Sequence, residues 1–190
     1  MERGDRVLTG GNTSDCTRFE HIMQAIRVPR VGSGRPRTRP DHVIASECAV
    51  AAGPTTQSVY GEAWTAFLSA TYQDTGGGGA YTVNQVIGVF PDTGKAAVAF
   101  RTLTDGLTKC AFSTVTDQAC RTAKLAYTAH PPYEVVVAWK AAQAGAANWA
   151  CYHQARVRST SLVQVAVCQA GDDAPTTSKI TDELAGKVAG

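Results

Sequence analysis

The stretch of sequence that decides the fold runs from Trp149 to Cys168 and reads WACYHQARVRSTSLVQVAVC. Two runs of alternating or β-branched residues flank a polar turn at Ser159 and Thr160, which is typical of an antiparallel β-hairpin. Cys151 and Cys168 are equally far from this turn, so they face each other across the hairpin. Facing residues have Cβ atoms about 4.5–5.5 Å apart, which is near disulfide geometry. Such a crosslink would contribute about 3 kcal/mol of stability.

Further strands are predicted on either side of the hairpin. Val135, Val137 and Trp139 alternate with their neighbours, and Gln154 falls on the polar side of its own strand, so both strands should be half-buried. The alternation over residues 64–72 fits a strand, although the same residues also fit a helix. We favour a strand because four glycines at 76–79 and the β-rich run after them would complete a hairpin.

Two amphipathic helices complete the pattern. Asp92 should cap the first, whose apolar positions are Ala96, Ala97, Phe100, Leu103 and Leu107. Gly106 weakens the signal near its end. Pro175 stands near the start of the second, whose apolar positions are Ile180, Leu184 and Val188. The predicted class is α+β, with an antiparallel sheet flanked by helices.

Composition excludes several functional classes. The chain has 190 residues, 44% of them hydrophobic and 18% charged, which is typical of a globular domain. A net charge of +2 argues against a strong attraction to nucleic acid or membranes. The apolar runs are too short to span a bilayer, and no signal peptide is visible in the first residues. Six cysteines are more than a routine cytosolic domain needs.

The first 46 residues differ from the rest of the chain. They contain eight Arg and no Lys, and Pro and Gly are crowded into residues 28–40. Such a composition predicts a poorly ordered arm at 1–46 without an independent fold. The Arg-rich run could bind phosphates, but it lacks interleaved aromatic residues, so a solvated arm without a nucleic-acid partner is favoured.

The arm resembles an internal piece of insertion-sequence DDE transposases. The resemblance rests on the runs Leu8–Asn12, Cys16–Phe19, Ile26–Arg30 and Gly34–Ala45. It implies a strand near Asp41–Ala45 that leads into a metal-binding catalytic aspartate, but Ser46 occupies that position. We therefore expect residues 1–46 to be a transposase fragment without catalytic residues. An active DDE transposase, which needs three acidic metal ligands, is the less favoured alternative.

Residues 47–190 resemble the extracytoplasmic sensor domain of PknH-type mycobacterial serine/threonine kinases, which also occurs in secreted lipoproteins. The resemblance rests on Glu47-Cys48, Gln57–Tyr60, Trp64, Phe90-Pro91, Lys109-Cys110, Trp149–Cys151, Cys168 and the final helix. It implies an antiparallel sheet with helices, a ligand-binding cleft and two disulfides, Cys48–Cys110 and Cys151–Cys168. The first would contribute about 4 kcal/mol. It assigns no partner to Cys16 or Cys120.

The resemblance implies a non-enzymatic sensor that binds a small molecule or a cell-envelope ligand, without catalytic residues or a cofactor. No metal site is expected, because Cys151 and His153 are the nearest approach to one and Cys-x-x-Cys is absent. Any cleft could be lined by Tyr60, Trp64, Tyr133, Trp139 and Tyr152, although each also suits a core.

An inactive product of transposon fusion, with no selected function, remains the alternative to a sensor. Two unrelated stretches that meet between Ser46 and Glu47 favour it. The sensor and the fusion product also differ in where the chain is expected to be located. The resemblance implies the cell envelope, whereas the sequence as written shows no signal and would leave its thiols reduced in the cytoplasm.

Overall fold

The computed structural model of the protein describes residues 42–44, 48–52, 57–74, 81–117, 122–146 and 148–188. Apart from residues 42–44, the expected poorly ordered arm lies outside these residues, and so do Cys120 and the glycines at 76–79. The chain divides into two compact units: Ile44–Val115 with Thr122–Gly190, and Met1–Val43 with Thr116–Arg121. Of the second unit the structure describes only residues 42, 43, 116 and 117.

The described residues form eight strands and four helices. The strands are β1 (His42–Ile44), β2 (Ala66–Gln73), β3 (Thr82–Val89), β4 (Phe112–Asp117), β5 (Thr122–Ala129), β6 (Val136–Gln143), β7 (Trp149–Arg158) and β8 (Ser161–Ala170). The helices are α1 (Ala49–Ala52), α2 (Gln57–Tyr60), α3 (Thr93–Thr108) and α4 (Ala174–Lys187). The strand order is β1-β4-β5-β6-β7-β8-β3-β2. The predicted α+β class, an antiparallel sheet flanked by helices, is confirmed.

The β7–β8 hairpin has the predicted register. Cys151 lies opposite Cys168, and Arg158 lies opposite Ser161 at the turn. Ser159 has a φ of 53°, the left-handed conformation that tight two-residue hairpin turns require. The strand predicted over residues 64–72 is confirmed as β2, which pairs antiparallel with β3.

Helix α3 covers one face of the sheet, and we call this side the α3 face. The predicted N-cap of helix α3 is confirmed, because the side chain of Asp92 accepts a hydrogen bond from the backbone N–H of Lys95 at 2.7 Å. Phe100, Leu103 and Leu107 are buried on this face, while Ala97 is half-buried. Helix α1 packs against the far end of α3, and no larger residue could replace Gly106 there without overlapping Val50.

Helix α4 covers the other side of β7 and β8, which we call the α4 face. Its predicted apolar positions, Ile180 and Leu184, are only partly buried against the valines of β3 and β8. The fully buried positions are instead Thr177, Thr181 and Ala185, and the hydroxyls of the two threonines donate to carbonyls one helical turn earlier. The prediction of the helix was right, but the prediction of its buried positions was wrong, because a hydroxyl satisfied within its own helix can be buried.

The prediction that β7 is half-buried was wrong, because α3 covers one face of the hairpin and α4 covers the other. Gln154, expected on a polar side, is only 7% exposed. All residues from Ser161 to Cys168 in β8 are buried, including Gln164. A hydrophilic residue can therefore lie on either face of this hairpin without reaching solvent. At the end of the sheet the opposite holds, since Leu68 and Tyr72 in β2 are exposed despite their alternation.

Candidate functional site

The structure contains two disulfides, Cys48–Cys110 and Cys151–Cys168. They join the pairs that the sensor-domain resemblance implied. The first connects the start of α1 to the residue that follows the C-cap of α3, across a sequence separation of 62. The second crosslinks β7 and β8, across a separation of 17. Cys151 and Cys168 lie on the α3 face, and Cys110 follows the helix that covers this face.

Strand register defines which side chains share the α3 face. Trp139 lies opposite His153, which lies opposite Ala166, which in turn lies opposite Asn84. Since directly opposed residues point to the same side of a sheet, all four belong to the α3 face. The neighbouring positions along this face include Gln164, which is one diagonal step from His153.

His153 is buried between strands and has no hydrogen-bond partner. Its ring is stacked on the indole of Trp139, with centroids 4.7 Å apart and planes 8° from parallel. Neither Nδ1 nor Nε2 has a hydrogen-bond partner. Burial lowers the pKa of His153 to about 3, because a charged imidazolium would be desolvated there. The ring is therefore neutral at physiological pH and offers one N–H donor and one nitrogen acceptor.

Gln164 and Tyr60 complete a group of three unsatisfied side chains that we call the polar cluster (Tyr60, His153, Gln164). Both amide atoms of Gln164 and the hydroxyl of Tyr60 are buried and lack hydrogen-bond partners. Burial raises the pKa of Tyr60, and the nearby Gln164 amide partly opposes that rise, although their contact does not meet hydrogen-bond geometry. Leaving such groups unpaired costs about 1–3 kcal/mol each.

Tyr60 reaches the α3 face because β3 has a glycine at the contact. A Cβ atom at Gly88 would lie 2.5 Å from Cδ1 of Tyr60, so only glycine allows the ring to approach the strand. Phe67 contacts the ring of Tyr60 edge-on, at 5.2 Å between centroids, and Phe90 is stacked on it at 6.4 Å. The phenol is therefore held by rigid aromatic neighbours and not by its hydroxyl.

Another tyrosine on the same face shows how a buried hydroxyl is normally satisfied. The hydroxyl of Tyr127 lies 2.7 Å from Oγ of Ser113 in a buried hydrogen bond. Burial raises the pKa of Tyr127, and the Ser113 hydroxyl partly opposes that rise. The indole of Trp139 is also satisfied, since Nε1 donates to the carbonyl of Ala51 at 2.9 Å. Among the described buried side chains of this face, those without a hydrogen-bond partner belong to the polar cluster.

The α3 face carries no formal charge in the strands whose register is described. On that side of β2, β3 and β5–β8 the side chains are aliphatic, aromatic, amide, hydroxyl, imidazole or cystine. The charged residues of β7, Arg156 and Arg158, point to the α4 face, where Arg156 pairs with Asp182 at 3.0 Å. These strands would thus offer a ligand at the polar cluster dipoles and apolar surface but no counter-ion.

Only two of the five aromatic residues that could line a cleft are buried on the same face of the sheet. Tyr60 and Trp139 are buried on the α3 face, at 3% and 2% exposure. Tyr152 points to the α4 face, where its hydroxyl donates to the carbonyl of Gly171. Trp64 and Tyr133 are largely exposed, and Trp64 touches Phe67 at 5.7 Å between centroids. These five residues therefore do not line one common cleft.

Sequence patterns did not predict the polar cluster. A usable signal was present, since His153 lies two residues after Cys151, on the strand side that the cysteine places in the core. Among the described residues, no group of three or more His, Cys, Asp or Glu side chains could hold a metal ion. In the same part of the chain, every helix is too short or too polar to cross a membrane.

These features define a disulfide-crosslinked α+β domain with a buried, uncharged polar site. The chain belongs to the family of PknH-like extracellular domains, whose model matches residues 24–187. The fold is similar to the crystal structure of the extracellular domain of PknH from Mycobacterium tuberculosis, with a TM-score of 0.66 and 25% identity. That match covers 77% of this chain and 78% of the other. No curated protein matches the sequence.

Proposed function

We propose that this chain is a non-enzymatic, extracytoplasmic sensor domain that binds a small uncharged ligand at the polar cluster. The observation that carries the proposal is the set of unsatisfied polar atoms of Tyr60, His153 and Gln164 on one face. Buried polar groups in folded proteins are nearly always paired, so an unpaired group of this kind marks a site for a partner. The family of extracellular domains supports a binding role outside the cytoplasm.

The chemistry of the cluster selects the class of ligand. Neutral His153 and the amide of Gln164 each offer a donor and an acceptor, and Tyr60 adds a hydroxyl that can do either. Hydroxyl and amide groups of a ligand match this set because they also donate and accept. A charged group would have to be desolvated without a described counter-ion, which is unfavourable. Neutral saccharides, polyols and amides of the cell envelope are therefore the favoured ligands.

The apolar surroundings supply the remaining contact surface. Trp139 lies flat against His153, and the methyl group of Ala166 lies opposite His153 in the neighbouring strand. Stacking of a sugar or amide plane on such aromatic surface adds apolar contact without requiring charge. Catalysis is not proposed, because neither a nucleophile next to a base nor a metal constellation occurs among the described side chains at this site.

A thermal-shift and calorimetric titration of the full chain tests the proposal. The probes are neutral compounds (trehalose, N-acetylglucosamine, glycerol and acetamide) with acetate, phosphate and spermidine as charged comparisons. We expect at least one neutral probe to raise the Tm of the wild type and to bind with a measurable Kd. Stabilisation by charged probes alone, or by no probe, would contradict the proposal.

Two glutamines form a matched pair of variants for this titration. Gln164→Leu removes an unsatisfied amide from the polar cluster, so the free protein should keep or gain stability while binding is lost. Gln154→Leu changes another buried glutamine, which lies on the α4 face, and should leave binding unchanged. Equal binding by both variants would place the ligand elsewhere on the domain.

We further propose that residues 1–46 are a transposase-derived segment attached to the sensor domain, with the boundary at residue 47. The family match begins earlier, at residue 24, so the two descriptions predict different protected fragments. Limited proteolysis followed by mass spectrometry should yield a stable fragment that starts near residue 47. A stable fragment that starts near residue 24 would instead assign the intervening residues to the domain.

A further inference from the structure

Strand β2 is the last strand of the sheet order, and its sequence lacks the charged residues and prolines that usually protect an edge. Among the strands that the structure describes, β3 is its one neighbour. Its eight residues, AFLSATYQ, include no charged residue, no Pro and no Gly. Natural edge strands are commonly short, charged or interrupted by proline, because a long flat apolar edge pairs readily with another strand.

The free side of β2 presents both backbone groups and apolar side chains. The backbone N–H of Asp74 donates to the carbonyl of Tyr81, so even-numbered residues of β2 bond to β3. The N–H and C=O groups of Ser69 and Thr71 therefore point away from the sheet. Leu68 is 66% exposed and Tyr72 is 57% exposed, both on the side opposite α3.

We propose that two copies of this chain associate edge to edge through β2, antiparallel, with Ala70 on the two-fold axis. In this register Leu68 of each copy lies opposite Tyr72 of the other, and Ala70 lies opposite itself. Two aliphatic–aromatic cross-strand pairs then cover the exposed side chains, and the unpaired backbone groups form a new ladder. The two sheets become one continuous sheet.

The charge pattern favours a second copy over a different partner. A strand that pairs with itself brings like residues together around the axis, so a charge near residue 70 would face an identical charge. A strand that recruits another protein can carry charges that the partner complements. A strand without any charge, centred on a small residue, fits the first case. This proposal does not depend on ligand binding at the polar cluster, which lies on the other side of the sheet.

The interface should be weak, because two eight-residue edges bury less than the roughly 1,200 Å² of the smaller specific interfaces. Sedimentation velocity on the full chain from low micromolar to high micromolar concentration should show a reversible monomer–dimer equilibrium. Ala70→Lys places two like charges at the axis and should raise the dimer Kd at least tenfold. Val98→Lys, at an exposed position of α3, adds the same charge and should dimerise as the wild type does.

A charge-reversal rescue tests the register itself. Leu68→Lys alone should weaken the dimer, because lysine replaces an apolar contact to Tyr72 of the second copy. Adding Tyr72→Glu to Leu68→Lys should restore association at low salt, since lysine and glutamate then face each other twice across the axis. Both positions are exposed, so the variants should keep the fold, which circular dichroism would verify.

A wild type that stays monomeric throughout the concentration range overturns the proposal. So does a dimer whose Kd is the same in Ala70→Lys and Val98→Lys. If the dimer responds to Ala70→Lys but the double variant does not restore it, the β2 edge is used in another register, and the placement of Ala70 on the axis is wrong.

Discussion

The imidazole of His153 lies stacked on the indole of Trp139, buried and without a hydrogen-bond partner on either nitrogen. This pairing makes His153 a measurable reporter of the core. Its pKa falls to about 3 in the folded protein, whereas an unfolded histidine titrates near about 6.5. Between these two values the unfolded chain binds a proton that the folded chain does not. Stability must therefore fall as the pH decreases through this window.

We predict that His153 costs the protein about 2 kcal/mol of unfolding free energy between pH 7 and pH 5. Urea denaturation at the two pH values should show this loss in the wild type. His153→Phe keeps a ring against Trp139 but cannot titrate, so its pH dependence should be smaller by that amount. His130→Phe removes an exposed histidine and controls for the loss of one imidazole. Equal slopes for the wild type and His153→Phe would refute the prediction.

The buried hydrogen bond from Trp139 to Ala51 joins α1 to the sheet. It should contribute more to the free energy of unfolding than the exposed hydrogen bond from Trp64 to Gly61. Trp139→Phe leaves the Ala51 carbonyl buried and unpaired, so we expect a loss of about 1–3 kcal/mol. Trp64→Phe removes a similar bond to Gly61 that is exposed to water, and it should cost less than about 0.5 kcal/mol. Chemical denaturation of both variants checks this, and similar losses would argue against it.

The contact between α1 and α3 depends on the absence of a side chain at residue 106. Gly106→Ala improves helix propensity but forces a methyl group into Val50, so it should destabilise the protein by about 1–3 kcal/mol. Gly186→Ala makes the same change in α4, where an added methyl group meets nothing within 4 Å. That variant should be stabilised by up to about 1 kcal/mol. Thermal unfolding should move the two Tm values in opposite directions.

The two disulfides should contribute unequally to stability. In the loop-entropy model, the separation of 62 residues between Cys48 and Cys110 gives about 4 kcal/mol, against about 3 kcal/mol for the 17 residues between Cys151 and Cys168. Replacing each pair by alanines and measuring denaturant unfolding should show this order. Reducing agent should lower the stability of the wild type and leave a variant without both bridges unaffected. A wild type insensitive to reduction would contradict this account.

Much of the fold follows from local sequence signals. The Ser159–Thr160 turn fixes the β7–β8 register, and Asp92 fixes the start of α3. These features depend on residues close together in the chain, so their patterns can be read without tertiary information.

Whether a strand residue is buried or exposed could not be predicted from the sequence where it depends on which helix covers that face of the sheet. Alternation in β2 predicted half-buried residues, but Leu68 is exposed because α4 packs against β7 and β8, and β2 lies two strands beyond β8. Conversely, Gln154 and Gln164 look polar in sequence and are buried because helices lie over both faces of the hairpin. The polar cluster has the same origin. Only three-dimensional placement shows that the partners normally expected for His153 and Gln164 are missing.

The Cys48–Cys110 bridge also determines how the domain would respond to mechanical pulling. A stretching force applied at the two chain ends passes from Cys48 through the sulfurs directly to Cys110. The disulfide carries this force in place of the residues between the two cysteines, which form α1, α2, β2, β3 and α3. This loop can therefore extend under force only after the disulfide is reduced. A reductant would increase the fully extended length of the unfolded chain.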